Sequence, residues 1–326
     1  MTERTETRVA YGDALLELGT RRPDVVVLDA DLYNSTRSIL FGKQFPDRFL
    51  DVGIAEQDMV SMAAGLAASG LIPYCHSFGI FLTGRCYDQI RVQVCYPALP
   101  VKLIGSSAGL THGPDGASHQ ALEDISLMRG LPNMTVIVPA DDVETRQATV
   151  AIADVRGPVY LRVGRYPVPR LFGADYRFEL GKATRLRNGD DIVIFATGHM
   201  VCKALEAADI LVTDGIQARV VNVSTIKPLD GEAVAREALG MRKAFTVEEH
   251  SIIGGLGSAV AEVLTESDGP CVPLKRLGVR DVFGESGTAD ELLAKHGLQP
   301  AGIRDSILGS LTISPVRHLR VECEVS

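Results

Sequence analysis

No two of the six cysteines, at 75, 86, 95, 202, 271 and 323, form a CxxC pair or any other metal-ligand spacing. That excludes a structural zinc cluster and leaves reduced, mostly buried thiols, the state expected in a cytosolic protein. Lysine and arginine are nowhere gathered into a block or interleaved with aromatic residues, and the formal net charge is -8, so nucleic acid is excluded as the main partner. An anionic ligand would have to be met by local arginines. The opening residues, MTERTETR, lack the apolar core of a secretory signal, so the cytoplasm is the expected compartment. There is no GxSxG elbow, no HExxH, and no GDG with a downstream Asn to hold a divalent metal and a diphosphate. Short repeats, low-complexity tracts and heptads are absent too.

Formal charge is missing from Met59 to Gly84, a run long enough to span a bilayer. Glycines 65, 70, 79 and 84 and Pro73 interrupt it, and Ser61, Ser69, His76 and Ser77 would lie in lipid, so a membrane span is excluded. The run reads as a helix over 56–69, a turn and a buried strand near 72–75, with apolar surface belonging to an interior or an interface. On its threshold, in DVGIAEQDM (51–59), stands Glu56. A carboxyl so placed is expected to be partly buried, and burial raises a carboxyl pKa and lets the group share or donate a proton. The plainer reading is an acid in a helix's first turn, favoured by the macrodipole without any chemistry.

What is present is an ordinary globular chain of 326 residues, 46% hydrophobic and 23% charged, long enough for two domains. Short β-branched runs at 25–29, 101–105 and 135–138 are separated by helix-like patterns such as 87–96, which implies parallel strands covered on both faces. A break falls near 157–175, where Pro158, Pro167 and Pro169 stand among several arginines. Alternation resumes beyond it, with strands at 192–196, 218–223 and 244–248 and helices at 200–211 and 230–238. The fold class is α/β, two open α/β domains, the first on a mostly parallel sheet. Ligands in such sheets bind beyond the carboxyl ends of the strands, so the loops after Asp29, Gly105 and Val138 are the places to look.

The loop 105–121, GSSAGLTHGPDGASHQA, combines glycines with His112, Asp115 and His119. Glycine permits close backbone approach, histidine transfers protons near neutral pH, and aspartate accepts from a hydroxyl or orients a base. A mobile surface loop is the alternative. Asp29 and Asp31 open the loop 29–36 as ligands or, more commonly for isolated aspartates, as helix caps. Phe78 and Phe81, three apart, could stack on a flat ring or simply fill the core. Gly254-Gly255-Leu256-Gly257 before a helix is a weak phosphate pattern, lacking the full GxGxxG and any P-loop lysine.

Taken together, GIAEQ at 53–57, FxxF at 78–81, GPDGASHQ at 113–120 and VEEHSIIGGLG at 247–257 resemble the C-terminal half of transketolase, from about Arg8 to Ile303. The resemblance implies a pyrimidine-binding domain over 1–172 and a transketolase C-terminal domain over 173–310, with an unmatched tail at 311–326. It also implies a missing N-terminal, diphosphate-binding domain, in keeping with the absent GDG, and hence the small subunit of a split transketolase. The cofactor implied is thiamine diphosphate, shared with a partner subunit whose residues hold Mg2+; no metal ligand is expected on this chain. Glu56 matches the glutamate that hydrogen-bonds the pyrimidine ring, Phe78 and Phe81 match the aromatic platform, whose third ring falls on Gly84, and Asp31 matches an aspartate near the cofactor. Asp115 and His119 match contacts to substrate hydroxyls, the histidine also to phosphate, and Glu56 and His119 are the expected catalytic pair. Arg8, Ser35 and Arg165 match phosphate-holding positions, with Arg162 a nearby candidate; arginine suits that task through fixed charge and bidentate geometry. The implied reaction moves a two-carbon ketol unit from a ketose phosphate to an aldose phosphate. The implied assembly is a heterotetramer with an N-terminal transketolase subunit.

The pattern departs from the family at Ser107, where transketolases of the yeast type carry a histidine, and at His112, which has no family counterpart. Three other readings compete: the beta subunit of a 2-oxo acid dehydrogenase E1 component, a deoxyxylulose phosphate synthase relative, and a noncatalytic α/β regulatory subunit.

Overall fold

In the computed structural model, residues 4–267 and 269–312 are described. Of the tail expected to match nothing, residues 313–326 lie outside them. Fourteen strands occur among the described residues: β1 Arg4–Glu6, β2 Val25–Asp29, β3 Phe49–Asp51, β4 Ile72–Phe78, β5 Lys102–Ser106, β6 Thr135–Ile137, β7 Val159–Val163, β8 Pro167–Pro169, β9 Thr184–Arg187, β10 Ile192–Ala196, β11 Ala218–Asn222, β12 Thr225–Lys227, β13 Lys243–Ser251 and β14 Leu274–Val279. They make a seven-stranded sheet in the order β12-β6-β7-β5-β4-β2-β3, a five-stranded sheet in the order β14-β13-β10-β11-β9, and the small antiparallel pair β1-β8. Each large sheet is parallel except at one edge, where β12 and β9 run antiparallel to their neighbours. Two open, mostly parallel α/β sheets are what the β-branched runs imply: every residue of β2, β4, β5, β7 and β10 is buried, because helices cover both faces.

The sheets do not separate at a single point along the chain. The stretch 157–175 begins with β7, an interior strand, and continues into β8, which pairs back onto β1. Farther on, β12 returns to the first sheet, where Lys227 Nζ donates to the carbonyls of Arg129 and Leu131 at 2.9 and 2.6 Å. A three-residue strand carries too little pattern to be legible in advance.

The uncharged run folds as the helix Glu56–Ala68 followed by β4, which continues three residues past the expected end and is buried throughout. Along the helix Met59, Val60, Ala63, Ala64 and Ala67 face the core, while Met62, Gly65 and Ala68 face outward. Cys75, Cys86, Cys95 and Cys202 are buried free thiols, and Cys271 is exposed. Among the described residues, no helix is long and apolar enough to cross a membrane.

The order β7-β5-β4-β2-β3 fixes the site. At its carboxyl edge Val163, Ser106 and Phe78 stand in register across β7, β5 and β4, and His76, Asp29 and Asp51 across β4, β2 and β3. The loops leaving those ends carry, side by side, Arg165, the glycine loop, Phe81, the Asp31–Ser35 segment and Glu56. Residues scattered over more than a hundred positions thus share one rim, as expected for an open α/β sheet.

Candidate active site

Glu56 is the first residue of its helix and is buried. Its carboxylate accepts from Arg85 Nη1 at 2.7 Å. Arg85 ends a π-helical turn begun by Phe81, and its guanidinium lies 4.7 Å from the centre of the Phe81 ring. Gly84, beside it, has open space where a side chain would project. Both readings of Glu56 therefore hold geometrically: it opens a helix, and it is a buried carboxylate, here with a cationic partner on a half-exposed arm.

Phe81 meets the His119 ring edge-on at 5.1 Å, and Phe78 meets Phe81 at 6.0 Å and His112 at 4.9 Å. The His112 and His119 rings are 5.6 Å apart. Phe78 is buried and Phe81 partly exposed, so one ring supports the other, and Phe81 and His119 form the open surface. His119 Nδ1 contacts Ser118 Oγ at 2.9 Å.

His112 is buried, with Nδ1 2.6 Å from the Ser107 carbonyl and Nε2 2.5 Å from Asp115 Oδ2. Both partners are acceptors, so the contacts favour a protonated ring. Burial is the larger influence and lowers the His112 pKa below the ordinary imidazole value, with Asp115 opposing and Arg165 reinforcing that shift. Nε2 and Oδ2 thus face each other at short range, next to His119. Ser107 adopts a left-handed φ of 54°, which turns the chain so that its carbonyl faces the His112 ring. Asp115 also contacts Arg165 Nη1 at 3.4 Å.

The remaining anion-binding candidates converge on the same rim. Arg8 N–H donates to Gly164 O at 3.1 Å, which joins Arg8 to the loop of Arg165, and Arg8 Nη1 donates to Ser35 O at 2.8 Å. Its Nε is held by Glu6 at 2.6 Å. Asp31 is exposed at a φ of 58°, with its N–H donating to Asp51 Oδ1. Asp29 caps neither of the short helices that follow it but ties the turn after β2: it is fully buried and accepts from Leu32 N, Thr36 Oγ1 and Ser38 Oγ, each at 2.7 Å. Burial nonetheless pushes its pKa up to about 6.

Two readings change on this geometry. Arg162 is enclosed in the interior, where it donates to Asp124 at 2.7 Å and to the carbonyls of Ala121 and Glu249, so its charge is already satisfied away from the rim. The glycines at 254–257 form a helix N-terminus that binds an anion of the chain's own: Glu248 accepts from Leu256 N at 2.7 Å and Gly257 N at 2.8 Å. No room for phosphate remains, since a Cβ at Gly255 would lie 2.1 Å from Glu248 Oε2. Sequence reasoning missed Arg85 as the partner of Glu56, although Arg85 is the charge that ends the uncharged run. Among the described residues, no group of three or more His, Cys, Asp or Glu side chains is arranged to hold a metal ion.

Two open, mostly parallel α/β sheets, with a buried carboxylate, two phenylalanines and two histidines gathered at one strand edge, define the class as a two-domain α/β protein with a candidate site on the rim of its first sheet. Residues 3–169 match the family described as transketolase, pyrimidine binding domain, and residues 181–303 match transketolase, C-terminal domain. The chain belongs to the transketolase family, as a subunit-sized member. It is 47% identical over 305 residues to a putative transketolase C-terminal section of Methanocaldococcus jannaschii, covering 92% of this chain and 95% of that protein. It is equally 47% identical, over 292 residues, to a 6-deoxy-6-sulfo-D-fructose transketolase subunit of a Clostridium species, covering 89% and 90%. A subunit of the apulose-4-phosphate transketolase of Phocaeicola vulgatus is 39% identical over 91% of this chain and 94% of its own length. Among solved structures, a split gene transketolase described as an inactive beta4 tetramer superposes with a TM-score of 0.87 at 49% identity, covering 94% of this chain and 99% of that one.

Proposed function

We propose that the chain is the C-terminal subunit of a split transketolase, moving a two-carbon ketol unit from an anionic ketose to an aldose phosphate with thiamine diphosphate. The observation that carries this is the unbroken path from Glu56 through Arg85, Phe81, His119 and His112 to Asp115 and Arg165 along one sheet edge.

The residues present fit the pyrimidine end of the cofactor: a buried carboxylate for a ring nitrogen, and a partly open Phe81 ring backed by Phe78 for the ring's face. When bound, thiamine diphosphate supplies the electron sink that stabilises a carbanion. Glu56 holds a proton at the pyrimidine nitrogen, His119 and Asp115 orient sugar hydroxyls, and Arg8, Ser35 and Arg165 hold the terminal anion. Asp31 lies toward the cofactor on the next loop. The diphosphate and Mg2+ ligands belong to an N-terminal partner subunit, the two chains forming a heterotetramer in the cytoplasm; support comes from the relatives of matching length, two of which are called transketolase subunits. Because those names mention a sulfonated sugar and a sugar phosphate, the test must offer both anions.

In the assembled enzyme with such a panel of ketoses, Glu56→Gln should lower ketol transfer by about 10²–10⁴-fold, the range for losing a positioned acid–base group. Full activity in that variant would return the noncatalytic reading. Pyruvate turnover in its place would favour a deoxyxylulose phosphate synthase; such synthases of Trichormus variabilis and of a Synechococcus species are 38% and 41% identical over 91% of this chain, which spans only 47% and 46% of their length.

A further inference from the structure

The strand β13 belongs to the second sheet, yet its last residues reach the first sheet's site. Glu248, Glu249 and His250 are buried there. Ser251 N–H donates to Leu122 O at 2.8 Å, and Ser126 N–H points at His250 Nε2 at 3.3 Å. Between these stitches Glu249 Oε1 accepts from the backbone N–H of Thr111 at 2.5 Å, one residue before His112. Thr111 is buried, and a buried N–H without an acceptor is costly, so the carboxylate fixes where this turn can sit.

The carboxylate also shapes the turn sterically. Gly109 has a φ of +89°, and a Cβ there would fall 2.2 Å from Glu249 Oε2, so the backbone lies directly against the acid. Arg162 supports the arrangement from below, with Nη2 donating to Glu249 O at 3.0 Å and Ala121 O at 3.3 Å and Nη1 3.8 Å from Glu249 Oε2. One guanidinium thus grips the far end of the loop and the strand that holds its near end. His199 Nδ1, from the loop after β10, stands 3.4 Å from the same Oε2.

We infer that Glu249 is a positioning residue, through which the second sheet sets the geometry of the loop bearing His112, Asp115 and His119. The kinetic importance of that loop rests on the proposed ketol transfer; the anchoring does not.

The test uses the full chain, by amide exchange over 109–121 and by the ring resonances of His112 and His119. Glu249→Leu removes the acceptor, and leaving the buried Thr111 N–H without one should speed exchange in the loop by about ten- to a hundredfold. Protection in β2, β4 and β5 should stay unchanged, and the His112 resonance should move. Glu249→Gln keeps an oxygen at the same reach and should restore both signals nearly to wild type. Unchanged loop exchange in Glu249→Leu, equal loss in Glu249→Gln, or uniform loss over both sheets would each overturn the inference. Should Glu249→Leu fail to fold, Glu249→Asp retains the charge but is one methylene shorter; it should give the same loop-confined signature, and a wild-type loop in it would overturn the inference equally. No partner, cofactor or sugar is needed, so this result is independent of whether ketol transfer is found.

Discussion

His112 is held between two acceptors in a buried setting, and its neighbours pull its proton in opposite directions. Asp115 raises its affinity for a second proton, whereas Arg165 and burial lower it. Asp115→Asn should therefore move the His112 titration to lower pH, and Arg165→Gln should move it to higher pH. Ring resonances followed against pH check both signs, and a shift in the same direction for the two variants would contradict the arrangement. At this scale the sequence was legible where chemistry and position coincide, as in Glu56 on the edge of an uncharged run. It was not legible where a partner is remote: nothing near Arg162 in the chain announces Asp124 or Glu249, which satisfy its charge in the interior. His112 stood in the same loop as His119, but its burial and its contact with Ser107 depend on a left-handed residue that composition does not reveal.

Strands and helices were read largely in place, because buried parallel strands advertise themselves as continuous β-branched runs. The glycines before the helix Leu256–Glu266 were ambiguous for a physical reason: a helix N-terminus attracts any anion, and only the fold shows that Glu248 is the anion supplied. Gly255→Ala, which forces a methyl group against that carboxylate, should cost about 1–3 kcal/mol as an overpacked site, measured by denaturant unfolding. The same carboxylate offers a pH test. Burial pushes the Glu248 pKa up to about 7, against the helix N–H groups, Arg162 and Arg276, which pull it down; His250 Nδ1 also lies 3.8 Å away. A carboxyl pKa raised in the folded state contributes stability that is complete below the unfolded value and is lost as pH rises through about 7. Glu248→Gln has no such titration, so its stability relative to wild type should improve between about pH 4.5 and pH 7. A gap that stays flat across that window in paired unfolding curves would contradict the buried, costly charge.

For the whole molecule, the two sheets act as one support because the chain crosses between them repeatedly, through β12 into the first sheet and through the end of β13 onto the glycine loop. Beyond Asp58 in its first turn, the outer face of the helix Glu56–Ala68 exposes Met62, Gly65 and Ala68, and Ile54, Val92 and Tyr96 are exposed as well. Exposed apolar surface of this kind suits a protein interface, and it begins at Glu56, where the proposed cofactor site would need its other half. Met62→Glu should accordingly weaken assembly with an N-terminal subunit in sedimentation experiments while leaving the melting temperature of the chain alone within about 2 °C, since exposed substitutions seldom alter stability by more than about 0.5 kcal/mol. The half-site itself is tested most directly by measuring two-carbon transfer from an anionic ketose, with thiamine diphosphate and Mg2+ supplied, first with the purified chain and then after addition of its N-terminal subunit. Transfer should be absent from the chain alone and emerge on mixing; turnover by the chain alone would contradict a site completed by a partner.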